Sequence, residues 1–371
     1  MSENFVPSFE LNFSEQEIQY VQDAAAEVMR SGDLALGPYT DKFEDWMAQT
    51  AKTEHAVAVG TGSAALEILY KITEPEGKRI LMPSNTNFAT AAAAKNAGAD
   101  IEFYDNGLYP DRQDLESRIR PDTAAVVAVH IGGYLSPELI QIAETCKSAG
   151  VPLIEDAAHA HGARISGKTA GSIGESAAFS SFLTKAITTG EGGAITTDQE
   201  YIAKLARQYR TQGRGADGLT HEVWGNTWRI TELGAAIGLA QSATFEADTD
   251  ERARIIRRYT SELGRLGIVF PELSDDARPS GHKAIAYAPD GMTRAGIKSA
   301  MKQRGVQMAR EVYEKPLHQQ PIFQEIAVGL TTYPIATDFA ERHIALPLWR
   351  NMPEASVDTV IEAMTDVLHK G

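Results

Sequence analysis

Cysteine is nearly absent: the 371-residue chain carries one, Cys146, which excludes an internal disulfide and a Cys-x-x-Cys metal knot. It falls in the helical-looking stretch ELIQIAETCKSAG and reads as a helix-face residue. Long apolar runs are absent too. Nothing approaches the ~18 residues of a spanning helix, and the opening MSENFVPSFELNFSEQ has no basic segment leading into an apolar one, so a cytoplasmic protein without a membrane partner is expected. Positive charge is scarce: 35 Lys and Arg stand against 50 Asp and Glu, a formal charge of −15. Such a field repels polyanions and disfavours nucleic acid as a partner. No period of 20 to 50 residues repeats, which excludes solenoids and propellers. What is present is an ordinary globular composition, 43% hydrophobic and 8% aromatic, long enough at ~150 residues per domain for a large and a small domain.

From residue 55, short β-rich runs alternate with helical stretches: HAVAV then SAALEILYKI, RILM (79–82) then TAAAAKNAGA, IEFY, AAVVAV (124–129) then PELIQIAETCKSAG, and PLIE (152–155). That rhythm predicts an α/β fold whose mostly parallel strands are covered on both faces by crossover helices. After Ala158 the pattern changes to short strands and turns. Helical periodicity returns at 199–212 and at 231–266, the latter long enough for two helices or one bent helix. The domain junction is placed there, with a large domain over 1–245, its N-terminal segment 1–35 included, and a small α+β domain over 246–371. The small domain is expected to hold helices at 294–304 and about 355–369.

Three glycine patterns compete for a phosphate. Residues 162–169 match GxxxxGK[ST] by letter, but no helical period follows Thr169, so a tight hairpin turn is expected instead. Residues 213–218 match GxGxxG, yet they trail a helix and read as a mobile loop. Gly60-Thr61-Gly62-Ser63-Ala64-Ala65 does lie between a strand and a helix. An NAD-dependent oxidoreductase would add an acidic residue after the second strand, and Pro83-Ser84-Asn85 stands there instead. What remains is a cradle for a phosphate, built from the N–H groups of Gly62, Ser63 and Ala64 at a helix N-terminus with the Ser63 hydroxyl.

PLIEDAAHAHGA runs an apolar strand into Glu155-Asp156, and ligands of open α/β sheets bind at such carboxyl ends. Lys185 follows another short apolar strand and precedes GEGG, a setting in which partial desolvation lowers an amine's pKa and frees it as a nucleophile. A phosphate cradle, a Schiff-base lysine and an acid for a pyridinium nitrogen are the needs of a pyridoxal phosphate enzyme. Transamination follows from that chemistry.

The segments GTGSAAL, EDAAHAHGA, AFSSFLTKAITTGEGGAITT and YEKPLHQQP resemble the DegT/DnrJ/EryC1/StrS family of sugar aminotransferases, over nearly the whole chain from Gly37-Pro38 to ALPLW at 345–349. The resemblance implies the type I pyridoxal 5′-phosphate-dependent aminotransferase fold. It also implies a homodimer with composite sites, a keto-sugar acceptor, usually nucleotide-linked, and glutamate or glutamine as donor. By position it implies Lys185 as the Schiff-base lysine and Asp156 as the pyridinium partner. His159 then stands beside the cofactor ring, with Ser180, Gly62 and Ser63 on the phosphate. Where many members stack an aromatic residue on the ring, this chain has Asn87 followed by Phe88. Where a GYNYR-like segment sends an Asn to the partner's phosphate, it has Gly225-Asn226-Thr227-Trp228-Arg229, leaving Asn226, Thr227 or Arg229 for that task. His159 and His161 have no Cys or third His nearby, so no metal is expected. Arg229, Tyr313 and His318 are substrate candidates, with Lys315 and Arg310 beside them. A keto-cyclitol acceptor is the alternative substrate, and an NAD-dependent oxidoreductase or a non-catalytic cofactor-binding sensor the alternative from another class.

Overall fold

The computed structural model describes residues 5–324 and 332–370. Two helices precede the first strand, α1 (Glu15–Ser31) and α2 (Pro38–Ala51). Ser14 and Glu17 cap α1 reciprocally, and Gly32, at φ 80°, ends it in the left-handed conformation glycine tolerates. Pro38 opens α2, where its missing N–H costs nothing. The expected alternation follows: β1 (His55–Val59), α3 (Gly62–Ile72), β2 (Arg79–Pro83), α4 (Phe88–Asn96), β3 (Asp100–Tyr104), α5 (Arg112–Ser117), β4 (Thr123–Val129), α6 (Leu139–Ala149) and β5 (Leu153–Asp156). Cys146 is buried on α6, and burial pushes its thiol up to about 12, which leaves it unreactive at neutral pH.

The rhythm then changes as expected, to a small hairpin of β6 (Arg164–Ile165) and β7 (Lys168–Thr169), followed by β8 (Ser176–Ser180) and β9 (Gly193–Thr197). Ser166 and Gly167 turn the hairpin with φ 49° and 74°, a pair of left-handed residues that suits the twist of the strands. The P-loop-like letters therefore form a turn and open no helix. The GxGxxG segment folds as a hairpin-like excursion, with Arg214 bridged to His221 and Thr211 to Thr227.

Among the described residues the main sheet has seven strands in the order β1-β9-β8-β5-β4-β2-β3. Only β9 runs against its neighbours, so β1, β2, β4, β5 and β8 all end on one edge. Alternate residues feed two cores. Val57, Val59, Ile80, Met82 and Ile154 face one layer, while Ala56, Ala58, Leu81, Leu153 and Phe179 pack with Phe43 and Met47 of α2 on the other. Beyond the sheet come α7 (Glu200–Arg210), α8 (Glu232–Ala240) and α9 (Phe245–Gly264), so 231–266 makes two helices. The remainder is β10 (Ala284–Tyr287), α10 (Arg294–Gln303), α11 (Pro334–Arg342), β11 (His343–Leu346) and α12 (Glu354–Lys370), with β10 and β11 antiparallel.

Glu232, fully buried at the start of α8, holds the start of α2 across almost 200 residues of chain. It accepts from the N–H groups of Gly37 (2.9 Å), Tyr39 (2.7 Å) and Thr40 (2.9 Å) and from the Thr40 hydroxyl. Glu232→Ala strands these donors in a dry site, so a loss of about 3–5 kcal/mol is expected. Urea unfolding measures it as a fall in midpoint at constant slope.

Candidate active site

The order β1-β9-β8-β5 brings together residues far apart in sequence. β1 ends at Val59 and the chain turns through Gly60 and Thr61 into α3, while β8 ends at Ser180 two strands away. The two elements touch: a Cβ added to Gly62 would lie 2.7 Å from Ser180 Cβ. Glycine is needed here for close approach. The Gly62 and Ser63 N–H groups open α3 beside Ser180, whereas the Ala64 N–H is taken by the Thr61 hydroxyl at 3.0 Å. A phosphate cradle here would use Gly62, Ser63 and Ser180, the Ala64 N–H being already taken.

Asp156 ends β5 and is buried. Its Oδ2 accepts from the Thr90 hydroxyl at 2.9 Å and its Oδ1 from the Ala158 N–H at 3.2 Å. Burial pushes its pKa up, against the pull of these donors and of Lys185. Glu155 points the opposite way, as alternation along a strand requires. It accepts from the N–H groups of Gly171, Ile173 and Gly174 and pairs with His130 Nε2 at 2.8 Å. Burial works against its charge, yet these partners hold its pKa below the ordinary value.

Lys185 lies in the turn after β8, half-buried, with its own N–H donating to the Phe182 carbonyl at 2.9 Å. Burial brings its amine down to about 8; Lys283 adds to the shift and Asp156 opposes it. About a tenth of the amine is then unprotonated at pH 7, far more than for an ordinary lysine, as a nucleophile or proton carrier requires.

His159 is buried, its Nδ1 facing the Gly132 N–H at 3.3 Å. Its ring stacks on His282 at 4.1 Å between centroids and on Tyr313 at 5.7 Å. Burial, together with Lys185 and Lys283, holds it neutral well below its usual titration. His161, two residues on, turns instead to the Phe179 ring at 4.9 Å, so the two imidazoles do not converge. Tyr313 reaches His159 from a backbone at φ 58°, a conformation that costs a bulky residue ~1–2 kcal/mol and is retained where the surroundings enforce it.

Other candidates lie elsewhere. Asn87 is exposed and caps α4, its Oδ1 accepting from the Ala89 N–H at 2.9 Å. Phe88 is 53% exposed and packs on Phe323 at 5.9 Å. One turn further, on the buried face of the helix, Thr90 is the residue that reaches Asp156. Asn226 and Thr227 are exposed, Asn226 Oδ1 accepting from the Thr227 N–H at 2.8 Å, and among the described residues no hydrogen bond ties them to their own cradle. Arg229 is half-buried, its carbonyl 3.3 Å from where a Gly60 Cβ would stand. The His318 ring lies tilted against Tyr333 at 4.7 Å between centroids, while Lys315 and Arg310 are exposed. A cavity of about 1310 Å³ opens at the opposite edge of the sheet, between Lys78, Leu153 and Ser176, and contains none of these groups.

A model of the DegT/DnrJ/EryC1/StrS aminotransferase family matches residues 15–365. The chain belongs to that family. The enzyme is 30% identical to the spore coat polysaccharide biosynthesis protein SpsC of Bacillus subtilis, over 98% of this chain and 97% of that one. It is 31% identical to the GDP-perosamine synthase of Caulobacter vibrioides, over 90% and 91%. Among solved structures it resembles DesV of S. venezuelae in complex with a ketimine intermediate, with TM-score 0.89, 28% identity and 98% of each chain covered. The enzyme is an aminotransferase of a sugar aminotransferase family, and pyridoxal 5′-phosphate is its cofactor. The site suits that group. Gly62, having no Cβ, lets the N-terminus of α3 close on Ser180, and the buried Asp156 carboxylate has only neutral hydrogen-bond donors, which leaves its charge for a cationic ring nitrogen. No helix among the described residues is long and apolar enough to cross a membrane.

Proposed function

We propose that the enzyme transfers an amino group from glutamate or glutamine to a keto sugar carried on a nucleotide. The observation that carries this reading is the meeting of Gly62, Ser63 and Ser180, the amine of Lys185 and the carboxylate of Asp156 on one sheet edge. The acceptor class is supported by relatives such as the GDP-perosamine synthase and the dTDP-3-amino-3,4,6-trideoxy-alpha-D-glucose transaminase of Streptomyces venezuelae, 29% identical over 97% of this chain and 96% of that one. Pyridoxal phosphate, when bound, would supply an aldehyde to carry the amino group between substrates and a ring that withdraws the electrons left by the departing proton.

The chain's own groups do the rest. Gly62 and Ser63 N–H and the Ser180 hydroxyl bind phosphate oxygens. Asp156, kept oriented by Thr90 and Ala158, would pair with the ring nitrogen and hold its proton in place. The Lys185 amine carries the proton that leaves the substrate carbon. His159, held neutral, hydrogen-bonds without adding a charge.

Supporting a homodimer, Trp224 is 94% exposed and Leu219 83% exposed on the loop that carries Asn226 and Thr227, a costly display unless a second copy covers it. Asn226, Thr227 or Arg229 then serves the partner's cradle. Trp224→Glu is expected to raise the dimer dissociation constant at least about tenfold and to lower activity in parallel, as sedimentation across a concentration series would register. The division at residue 245 belongs to the same proposal, residues 1–4 and 371 lying outside the described ones.

The test loads the enzyme with pyridoxal phosphate, converts it with glutamate or glutamine, and offers GDP-, dTDP- and UDP-linked keto-hexoses beside a keto-inositol. Amine formation on a nucleotide-linked sugar is expected. Amination of the keto-inositol alone would replace the acceptor class, and a protein whose visible band no donor changes would be a cofactor-binding sensor.

A further inference from the structure

We propose that Lys283 and His282 form the seat for the α-carboxylate of the amino donor. The inference rests on the proposed function and deepens it. An enzyme with a net charge of −15 that handles an anionic amino acid needs a local concentration of positive charge beside the reacting amine. Of the two arginines that the sequence suggests for binding an anion, Arg310 is 90% exposed and 3.7 Å from Glu314, so it serves poorly as a desolvated seat.

Residues 280–283 are fastened directly to the floor of the site. The Ser280 N–H donates to the Gly133 carbonyl at 3.0 Å and its hydroxyl to the His159 carbonyl at 2.5 Å. The His282 N–H donates to Ser280 Oγ at 3.2 Å and the Lys283 N–H to the Gly132 carbonyl at 3.2 Å. Gly133 has no room for a side chain, because Ser280 Oγ occupies the place of its Cβ. The His282 ring is thereby laid on His159 at 4.1 Å. Its Nδ1 is buried without a hydrogen-bond partner among the described residues, an orphan that calls for an occupant.

Lys283 follows His282 directly and is half-buried, and burial pushes its amine below the ordinary lysine value, so an anion beside it would restore its charge. Its counter-ion is already shared. Glu311, fully buried, binds Lys298 Nζ through Oε2 at 2.6 Å and so divides its charge between Lys298 and Lys283. Two sources could bring an anionic oxygen here, the donor's carboxylate or the acceptor's phosphate. Covalent geometry favours the first: an α-carboxylate carbon lies about 2.5 Å from the amino nitrogen being transferred, whereas a sugar nucleotide's phosphates lie several bonds from the keto carbon. A cation whose backbone is tied to Gly132, beside the His282 ring on the floor of the site, fits the carboxylate. In its Nδ1–H tautomer, His282 donates the second hydrogen bond.

The test uses cofactor-loaded enzyme with Lys283 as found, Lys283→Gln and Lys283→Arg, titrated calorimetrically with glutarate and separately with UDP. The expected result is glutarate affinity at least about tenfold lower in Lys283→Gln and restored to within about threefold by arginine, with UDP affinity unchanged. In single-turnover conversion the glutamate concentration for half-saturation rises about tenfold, with less than a threefold change in limiting rate. Unchanged glutarate affinity in Lys283→Gln overturns the inference. A selective loss of UDP affinity overturns it as well and assigns the cation to the acceptor's phosphate. An unaltered visible cofactor band in Lys283→Gln shows that the site is intact, whereas unsubstituted enzyme that holds no cofactor overturns the proposed function itself.

Discussion

Lys185→Ala is expected to reduce transamination at least about 10⁴-fold, because no other amine takes over both nucleophile and proton carrier. Lys283 cannot substitute: its backbone is tied to Gly132, and its amine is balanced between Glu311 and neighbouring cations. Borohydride treatment of loaded enzyme should fix the cofactor to the Lys185 peptide, and to no peptide of the alanine variant. The pH dependence follows from an amine brought down to about 8. Only its unprotonated form attacks an aldehyde, so capture of pyridoxal phosphate by cofactor-free enzyme should accelerate about tenfold per pH unit below 8 and level off above it. A capture rate flat between pH 6 and 9 would refute the assignment of this amine.

Asp156→Asn is expected to lower the rate of donor conversion by about 10²–10³-fold with little change in fold stability. Asparagine keeps the size of the side chain and an oxygen for the Thr90 hydroxyl, 2.9 Å away in the native enzyme. It removes the negative charge that burial makes costly and that a cationic ring nitrogen would repay. The measurement is single-turnover absorbance with saturating glutamate, alongside urea unfolding. Equal rates in the two proteins would remove Asp156 from the chemistry.

The sheet strands were legible because each is a short apolar run bounded by turn residues. The hairpin at 164–169 was legible because no helical period follows it. The helices before β1 were not, since an alternating strand–helix rhythm says nothing of what precedes it; the usable signals were local, Ser14-Glu-Gln-Glu17 as a capping box, Gly32 as a stop and Pro38 as a start. In the site, Asp156 and Lys185 could be singled out because each follows an apolar strand, and Gly62 and Ser63 because they open a helix after one. Thr90, His130, His282 and Lys283 carry no local signal. They join the site through strand order and through Ser280 locking onto Gly133, facts of tertiary structure alone. Asn87 shows the converse: a motif-aligned position whose side chain is committed to starting a helix.

The antiparallel strand β9 has a consequence for biosynthesis. β1 pairs with β9 alone, His55 opposite Thr197 through Val59 opposite Gly193, so HAVAV leaves the ribosome more than 130 residues before its partner. At ~5–20 residues per second the wait is on the order of ten seconds. During that interval an apolar β-prone segment has both backbone edges open, the condition under which nascent chains aggregate or recruit chaperones. The polar residues around it, Lys52-Thr-Glu54 before and Thr61-Gly-Ser63 after, act as gatekeepers for a strand that cannot yet be paired.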